Sequence, residues 1–226
     1  MTRFPDIAGV VLAGGSSRRM GGVPKALCEV DGVAIVDRAL AVLRTLFPEV
    51  IVVANDPAPY RGRPGVSNGI KGLPLGRRDP AVTVVPDIFP GCGPIGGIHA
   101  GLKAIARCTG FFTACDMPFI DAPLVARICQ AAMAGDFTCA VPSSRLGLEP
   151  LHACYTKEAL PVFEDAIRAG RLKIRGVIDR CRTVFVDLRG AEMTAMYNVN
   201  TPLDLATADR RGLAGAHLDL SWKHSR

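Results

Sequence analysis

The chain has 226 residues, of which 49% are hydrophobic and 21% charged, and its net charge is +6. This length suffices for one well-buried domain, and the composition excludes a disordered protein. No apolar run approaches the ~20 residues that span a bilayer, so we expect no membrane association. Aromatic residues make up only 6% of the chain and are not interleaved with a basic patch, which argues against nucleic acid as a partner.

The N-terminus and the cysteines both favour a cytoplasmic protein. Pro5 and Asp6 interrupt the N-terminal segment, and the apolar run that follows them is too short for a secretory signal. The eight cysteines are scattered and none has CxxC spacing, which is typical of reduced thiols that pack as small hydrophobic residues.

Strands and helices alternate along the chain, which predicts an α/β fold with a mainly parallel sheet. The predicted strands are residues 7–13, 50–54, 81–85, 110–115, 137–141 and 183–187. The predicted helices are residues 35–46, 95–107, 123–134, 157–169, 173–180 and 202–209. We therefore predict a three-layer α/β/α sandwich with a Rossmann-like sheet, formed by a single domain of residues 1–212.

Two segments lack this alternation. Residues 56–80 contain five prolines and five glycines, which predicts a long surface loop between the second and third strands. Residues 213–226 show no clear periodicity and are expected to form a flexible tail.

The first predicted strand runs into a glycine-rich, basic loop. Its backbone turns at Gly14 and Gly15, where bare N–H groups can approach a ligand. Arg18, Arg19 and Lys25 add positive charge over the same few residues. A strand end, free N–H donors and cations together predict a polyphosphate site; the alternative is a plain turn with solvated arginines.

The spacing LAGG-x₃-RMGG-x₂-K in this loop resembles the signature of the nucleotidyltransferase family that includes molybdenum cofactor guanylyltransferase. Four further segments resemble the same family in the same order: residues 84–98, 114–120, 149–155 and 197–202. The resemblance extends from residue 7 to about residue 205. One such motif is weak support, but five in sequence order are specific.

Asp116 is the candidate metal ligand. It directly follows an apolar predicted strand, and a carboxylate at the carboxyl end of a central parallel strand lies at the ligand crevice of an open α/β sheet. Beside a polyphosphate its expected partner is Mg²⁺, which prefers oxygen ligands. The alternative is a helix cap, but Asp121 lies closer to the next helix.

Asp87 and Asn55 also follow predicted strands. A carboxylate in such a position can accept hydrogen bonds from a ribose hydroxyl or from the N–H edge of guanine, and an amide can read a base edge as both donor and acceptor. In both cases the alternative is a residue that only ends a strand or caps a turn.

Residues 91–96 fit the spacing G-x-G-x-x-G of dinucleotide-binding folds. That fingerprint requires its first glycine directly at the strand end, whereas here residues 86–90 intervene and Pro94 lies within the turn. The first loop also lacks the GK[ST] end of a P-loop. We therefore reject a dehydrogenase and a P-loop NTPase.

The family resemblance places residues 149–155 on the acceptor side of the crevice, as its far wall. This chain has Glu149 where many members have an uncharged residue before the proline. His152 is interpreted as a packed side chain, because a phosphate nucleophile needs no base. Asn198 and Asn200 are candidates for contacting the acceptor phosphate or a metal-bound water, with local turn capping as the alternative.

The resemblance implies transfer of GMP from GTP to molybdopterin, with release of pyrophosphate. It assigns Lys25, Arg19 and Asp116 to catalysis, with Mg²⁺ on Asp116. The GTP-binding residues would be Leu12, Ala13, Gly14, Gly15, Lys25, Asn55, Asp87 and Asp116. Cofactor-delivery proteins or molybdoenzyme chaperones are further candidate partners. The alternatives are the same chemistry with CTP or a sugar phosphate, and a nucleotide-binding regulatory subunit without turnover.

Overall fold

The molecule is built on one mixed β-sheet covered by helices on both faces. A computed structural model of the protein describes residues 3–14, 24–60, 63 and 82–214, with only the backbone described at 211–214. The strands within these ranges are β1 Ile7–Leu12, β2 Glu29–Val30, β3 Val33–Ala34, β4 Val50–Val53, β5 Val82–Val85, β6 Thr109–Ala114, β7 Cys139–Ser144, β8 Gly147–Leu148, β9 His152–Thr156 and β10 Thr183–Asp187. The α-helices are α1 Ile35–Leu46, α2 Pro94–Ala104, α3 Ala122–Met133, α4 Leu160–Arg168, α5 Ile174–Ile178 and α6 Pro202–Ala214.

The main sheet has the strand order β10-β7-β9-β6-β1-β4-β5, with β8 paired to β7. Pairing is parallel between β1 and both β4 and β6, between β4 and β5, and between β7 and β10. The mainly parallel sheet expected from the sequence is therefore confirmed.

Strand β9 departs from the predicted alternation. It is antiparallel to both β6 and β7, between which it lies. The prediction of βαβ units throughout is wrong here, because β9 is reached from β7 through the short hairpin strand β8 rather than through a helix. Most of the segment predicted as a crevice wall is thus a strand inside the sheet.

Two apolar clusters lie on the two faces of the sheet and complete the three layers. Helices α1 and α3 pack on one face through residues such as Leu43 and Ile128. Helices α2, α4 and α5 pack on the other, through Ile98, Phe163 and Val177. A smaller cluster joins the β2–β3 hairpin to α6 and to the segment that precedes it.

Other differences from the predicted elements lie at their ends. Helix α2 stops at Ala104 rather than at residue 107, and α6 continues to Ala214, past the predicted end at 209. Most of the predicted loop 56–80 and residues 215–226 of the predicted tail lie outside the described residues. Within the described ranges, no helix has the length and apolar character needed to cross a membrane.

Gly101 sets the distance between α2 and the sheet. A Cβ atom at this position would lie 2.6 Å from Cε1 of Phe112 and 2.9 Å from Cγ1 of Val10. We predict that Gly101→Ala lowers the free energy of unfolding by about 1–3 kcal/mol, because both neighbours are buried and cannot move freely. Urea unfolding measures this change.

Gly176 in α5 provides the matched control, because a Cβ there meets nothing within 4 Å. Gly176→Ala is expected to leave stability unchanged or to raise it by up to about 1 kcal/mol, since alanine favours a helix. Equal stabilities of the two variants would contradict the close packing of α2 on the sheet.

Candidate active site

A cavity of about 1090 Å³ lies where β1, β4, β5 and β6 end and α2 begins. The carboxyl ends of parallel strands meet at one edge of a sheet, so the residues that follow these strands converge there. Seven residues predicted from the sequence line this cavity: Leu12, Ala13, Gly14, Lys25, Asn55, Asp87 and Asp116. Gly15 and Arg19 lie outside the described residues.

Lys25 and Asp116 form the charged centre of the cavity. Lys25 Nζ lies 3.6 Å from Asp116 Oδ2, and each side chain is 22% exposed. The same ammonium group donates a hydrogen bond of 2.5 Å to Asn200 Oδ1. Three predicted residues, separated by up to 175 positions in the sequence, are thus brought together.

Backbone contacts hold Asn200 beside Asp116. The N–H of Val199 donates to the carbonyl oxygen of Asp116 at 2.8 Å. The Asp204 carboxylate accepts hydrogen bonds from the N–H groups of Asn200 and Thr201 at 2.9 and 2.8 Å, at the start of α6. The segment before α6 is therefore fixed against the turn that follows β6.

Asn198 has a different role from Asn200. Its Nδ2 donates to the carbonyl oxygen of Met196 at 3.3 Å, which is the local turn capping given above as the alternative. Neither asparagine is among the residues that line the cavity, but Asn200 bonds to the cavity residue Lys25. The structure therefore brings only Asn200 of this predicted pair to Lys25 and Asp116.

Burial raises the pKa of Asp116, and the nearby Lys25 ammonium opposes this shift. A partly desolvated carboxylate gains from a cation at close range, and Lys25 supplies one. The described residues contain no group of three or more His, Cys, Asp or Glu side chains arranged to hold a metal ion. One carboxylate with a neighbouring amide oxygen nevertheless suits Mg²⁺, which keeps several waters and also binds substrate phosphates.

Asn55 and Asp87 also line the cavity and contact each other. Asn55 Oδ1 accepts a hydrogen bond of 3.0 Å from the N–H of Asp87, and Asp87 Oδ1 accepts one of 2.9 Å from the N–H of Phe89. One lone pair of the Asn55 amide oxygen is used in this way and the other remains, so the contact of Asn55 with a nucleobase stays a prediction. Its N–H₂ group is left to donate, while the Asp87 carboxylate keeps acceptor capacity.

The loop that leads into α2 is built around glycine. Gly91 and Gly93 have φ angles of +87° and +65°, a region that side chains rarely adopt. Gly96 lies against Asp87, since a Cβ there would be 2.9 Å from Asp87 Oδ2. This loop separates β5 from α2, as expected from the rejection of a dinucleotide-binding fingerprint.

His152 lies in the core and outside the cavity. It is fully buried, and burial alone lowers the pKa of its imidazole to about 3, so the ring is neutral. Its neighbour Leu151 lines the cavity instead. The interpretation of His152 as a packed side chain agrees with this geometry.

Tyr60 and Cys115 are among the cavity residues that were not predicted from the sequence. Tyr60 ends a short 3₁₀ helix and is 2% exposed, and Cys115 lies next to Asp116. Burial raises the pKa of Cys115 to about 12, so it is a neutral thiol. The signal for Cys115 was its position beside a strand-end aspartate, whereas nothing local marked Tyr60.

A family model described as MobA-like NTP transferase domain matches residues 9–184. The chain belongs to this family. It is a nucleotidyltransferase, and the resemblance drawn from its sequence motifs is confirmed.

Relatives agree with this assignment over nearly the whole chain. A probable molybdenum cofactor guanylyltransferase of Pelotomaculum thermopropionicum is 40% identical over 207 residues, which cover 88% of this chain and 90% of the relative. The crystal structure of molybdopterin-guanine dinucleotide biosynthesis protein A from Archaeoglobus fulgidus is similar with a TM-score of 0.72 and 25% identity, covering 92% of this chain and 99% of that one. A manganese complex of a Mycobacterium tuberculosis protein shares the fold, with a TM-score of 0.59, 18% identity and coverage of 91% and 98%.

Proposed function

We propose that this MobA-like NTP transferase transfers GMP from GTP to the terminal phosphate of molybdenum-bound molybdopterin and releases pyrophosphate. The names of the relatives support the substrates. The observation that carries the proposal is the pairing of Lys25 with Asp116 at 3.6 Å inside the strand-end cavity. A cation and a carboxylate at this distance provide one group for phosphates and one for a metal ion.

The reaction needs positioning and charge neutralisation more than proton transfer. An oxygen of the acceptor phosphate attacks the α-phosphorus of GTP, and the bond from that phosphorus to the oxygen bridging to the β-phosphate breaks. The electron pair leaves with pyrophosphate. A phosphate acceptor is largely ionised at neutral pH, so the neutral, buried His152 is not required as a base.

Lys25 neutralises the leaving pyrophosphate in this proposal. On GTP binding its ammonium group exchanges the hydrogen bond to Asn200 for the β- and γ-phosphate oxygens. Arg19 and the backbone N–H groups of the loop that begins at Gly14 assist it. Leu12 and Ala13 lead into this loop, and Gly15 gives it freedom to approach the phosphates.

Asp116 holds a divalent metal ion, which we assign as Mg²⁺. When bound, the ion supplies positive charge at the phosphate oxygens. The position of this carboxylate in the strand-end cavity and the amide oxygen of Asn200 near the same ammonium support this assignment. The manganese complex of a protein with the same fold is consistent with it.

Asn55 and Asp87 select the nucleobase. Guanine presents an O6 acceptor beside N1–H and N2–H₂ donors. The Asn55 N–H₂ group can donate to O6, and the Asp87 carboxylate can accept from the donors. Adenine reverses the pattern at position 6 and leaves these groups unpaired.

We assign the activity to one domain of residues 1–212, followed by a tail of residues 213–226; the main sheet, which contains both β1 and β10, supports one domain. We also place the reaction in the cytoplasm, which the eight free cysteines support. Asn200 is our candidate for contact with the acceptor phosphate. Molybdopterin is expected to arrive from a cofactor-delivery protein and the product to leave with a molybdoenzyme chaperone.

A comparison of GTP, ATP and CTP as substrates tests this function. With molybdopterin as acceptor, we predict pyrophosphate release from GTP at a kcat/KM about 10⁴-fold above that of ATP, since the site rejects a base that leaves its polar groups unpaired. The preference over CTP should be clear but smaller. A preference for CTP would make the protein a cytidylyltransferase, and binding of GTP without any pyrophosphate release would indicate a regulatory subunit.

Asp116→Asn keeps the shape of the side chain and removes its charge. We predict that turnover falls by roughly two orders of magnitude, about 3 kcal/mol of transition-state stabilisation, while the fold is retained. The matched control is Asp136→Asn, because Asp136 is 88% exposed. Near-normal turnover in folded Asp116→Asn would contradict the metal assignment.

Lys25→Ala separates contacts to the leaving group from contacts to the rest of the nucleotide. We predict that GTP binds about ten- to a hundredfold more weakly and that GMP affinity changes little, because only GTP carries the β- and γ-phosphates. Calorimetric titration with both nucleotides measures this, with the exposed Lys103→Ala as control. Equal losses for GTP and GMP would show that Lys25 contacts another part of the ligand.

A further inference from the structure

A hydrogen-bonded chain of three buried side chains, His152, Thr113 and Met117, lies beside the turn that carries Asp116. Thr113 on β6 and His152 on β9 are directly opposite each other in the antiparallel register. Thr113 Oγ1 lies 3.2 Å from His152 Nδ1 and 3.9 Å from Met117 Sδ. All three residues are at most 2% exposed.

The two contacts of Thr113 fix the direction of this chain. A hydroxyl group has one hydrogen to donate, and the thioether sulfur of Met117 can only accept. Both contacts are hydrogen bonds when the hydroxyl donates to the sulfur and accepts from a protonated Nδ1 of His152. The imidazole then donates to Thr113, and Thr113 donates to Met117.

Two members of this hydrogen-bonded chain, Thr113 and Met117, flank the candidate metal ligand in the sequence. Thr113 lies three residues before Asp116, and Met117 directly follows it. The backbone of the same turn is held by two further contacts: Cys115 N–H donates to Leu12 O at 3.0 Å, and Val199 N–H donates to Asp116 O at 2.8 Å. The hydrogen-bonded chain from His152 through Thr113 to Met117 adds a contact from β9.

Stability alone does not account for a histidine at this position. The site is apolar, with the ring of Phe111 at 5.0 Å edge-on to the imidazole and Met117 in the same core cluster. His152 Nε2 is buried and has no hydrogen-bond partner among the described residues. An unpartnered buried polar atom costs free energy that an apolar ring would not, so the benefit must come from the Nδ1 contact.

We propose that His152, acting through Thr113 and Met117, is a positioning residue that holds the Asp116 turn in the geometry that binds the metal ion. This proposal rests on the proposed function, in which Asp116 is a metal ligand. His152 takes no part in proton transfer and does not touch the nucleotide. Its effect is therefore on metal affinity first and on the affinity for metal-free GTP little or not at all.

The experiment measures Mn²⁺ binding to the GTP-bound protein by electron paramagnetic resonance, with circular dichroism as the check on folding. His152→Phe keeps an aromatic ring in the core and removes the Nδ1 donor. We expect it to weaken Mn²⁺ binding about tenfold, the effect of losing one buried hydrogen bond. Thr113→Val, which removes the hydroxyl with little change in shape, is expected to give the same loss and serves where His152→Phe does not fold.

Two further variants separate positioning from a general loss of packing. His152→Asn places an amide N–H close to the position of Nδ1 and is expected to restore most of the Mn²⁺ affinity. Thr156→Val is the matched control: it removes a buried hydroxyl at the far end of β9 that has no hydrogen-bond partner in the described part of the chain, and it should leave Mn²⁺ binding unchanged. The double variant His152→Phe/Thr113→Val should bind Mn²⁺ as weakly as either single variant, because both break one chain.

Asp116→Asn is measured in the same series and distinguishes the two ways of failing. If Asp116→Asn abolishes Mn²⁺ binding while folded His152→Phe and Thr113→Val keep it at the level of the unaltered protein, the positioning proposal is wrong and the proposed function stands. If Asp116→Asn itself binds Mn²⁺ normally, the metal assignment fails and the positioning proposal fails with it.

Discussion

The parallel pairing of β1 with β6 is the constraint on which the site depends. Its register runs from Ile7 opposite Thr109 to Leu12 opposite Ala114, so both strands end at the same level. The glycine-rich segment that starts after Leu12 and the turn at Asp116 therefore leave the sheet side by side. A slip of one residue would move Asp116 away from this level and turn the strand's side chains to the opposite faces.

The second requirement is that the opposite charges of Lys25 and Asp116 stabilise each other inside the partly desolvated cavity. Burial disfavours the charged form of Asp116, and the nearby ammonium group of Lys25 stabilises it. The same ammonium group donates a hydrogen bond to Asn200. The ion pair stabilises both charges without a bound metal ion or anion. Both side chains are still partly exposed, so each can bind a ligand group. A triphosphate can bind to Lys25 while its metal ion binds to Asp116. Ligand binding is then linked to a rearrangement of the Lys25 side chain.

Much of the fold could be predicted, because its information is local. Apolar runs and the signals of strand ends predicted the six strands that build most of the main sheet, and with them Asp116 and Asp87 at its edge. Strand β9 was missed because its five residues begin with His152 and end with Thr156, both polar, and its place and direction are determined by pairing with both β6 and β7. The sequence also predicted Asn200 near the site but not its contact.

Long-range contacts set the roles of particular side chains. No local pattern indicates that Lys25 bonds to a residue 175 positions away, or that Asn55 Oδ1 accepts a hydrogen bond from the backbone N–H of Asp87. The same holds for the chain from His152 to Met117, which exists only because β9 lies beside β6. Motifs therefore predicted which residues gather at the cavity, and the structure was needed to determine which atoms are free to act.

In the function that we propose, one cavity separates the two charges: the phosphates bind to Lys25 and the metal ion binds to Asp116. The most direct measurement is a crystal structure with GTP and Mn²⁺, in which anomalous scattering locates the ion. We predict that Mn²⁺ is bonded to the Asp116 carboxylate, that the β- or γ-phosphate contacts Lys25 Nζ, and that the Lys25–Asn200 hydrogen bond is broken. A manganese ion away from Asp116, or Lys25 still bonded to Asn200 with GTP present, would contradict it.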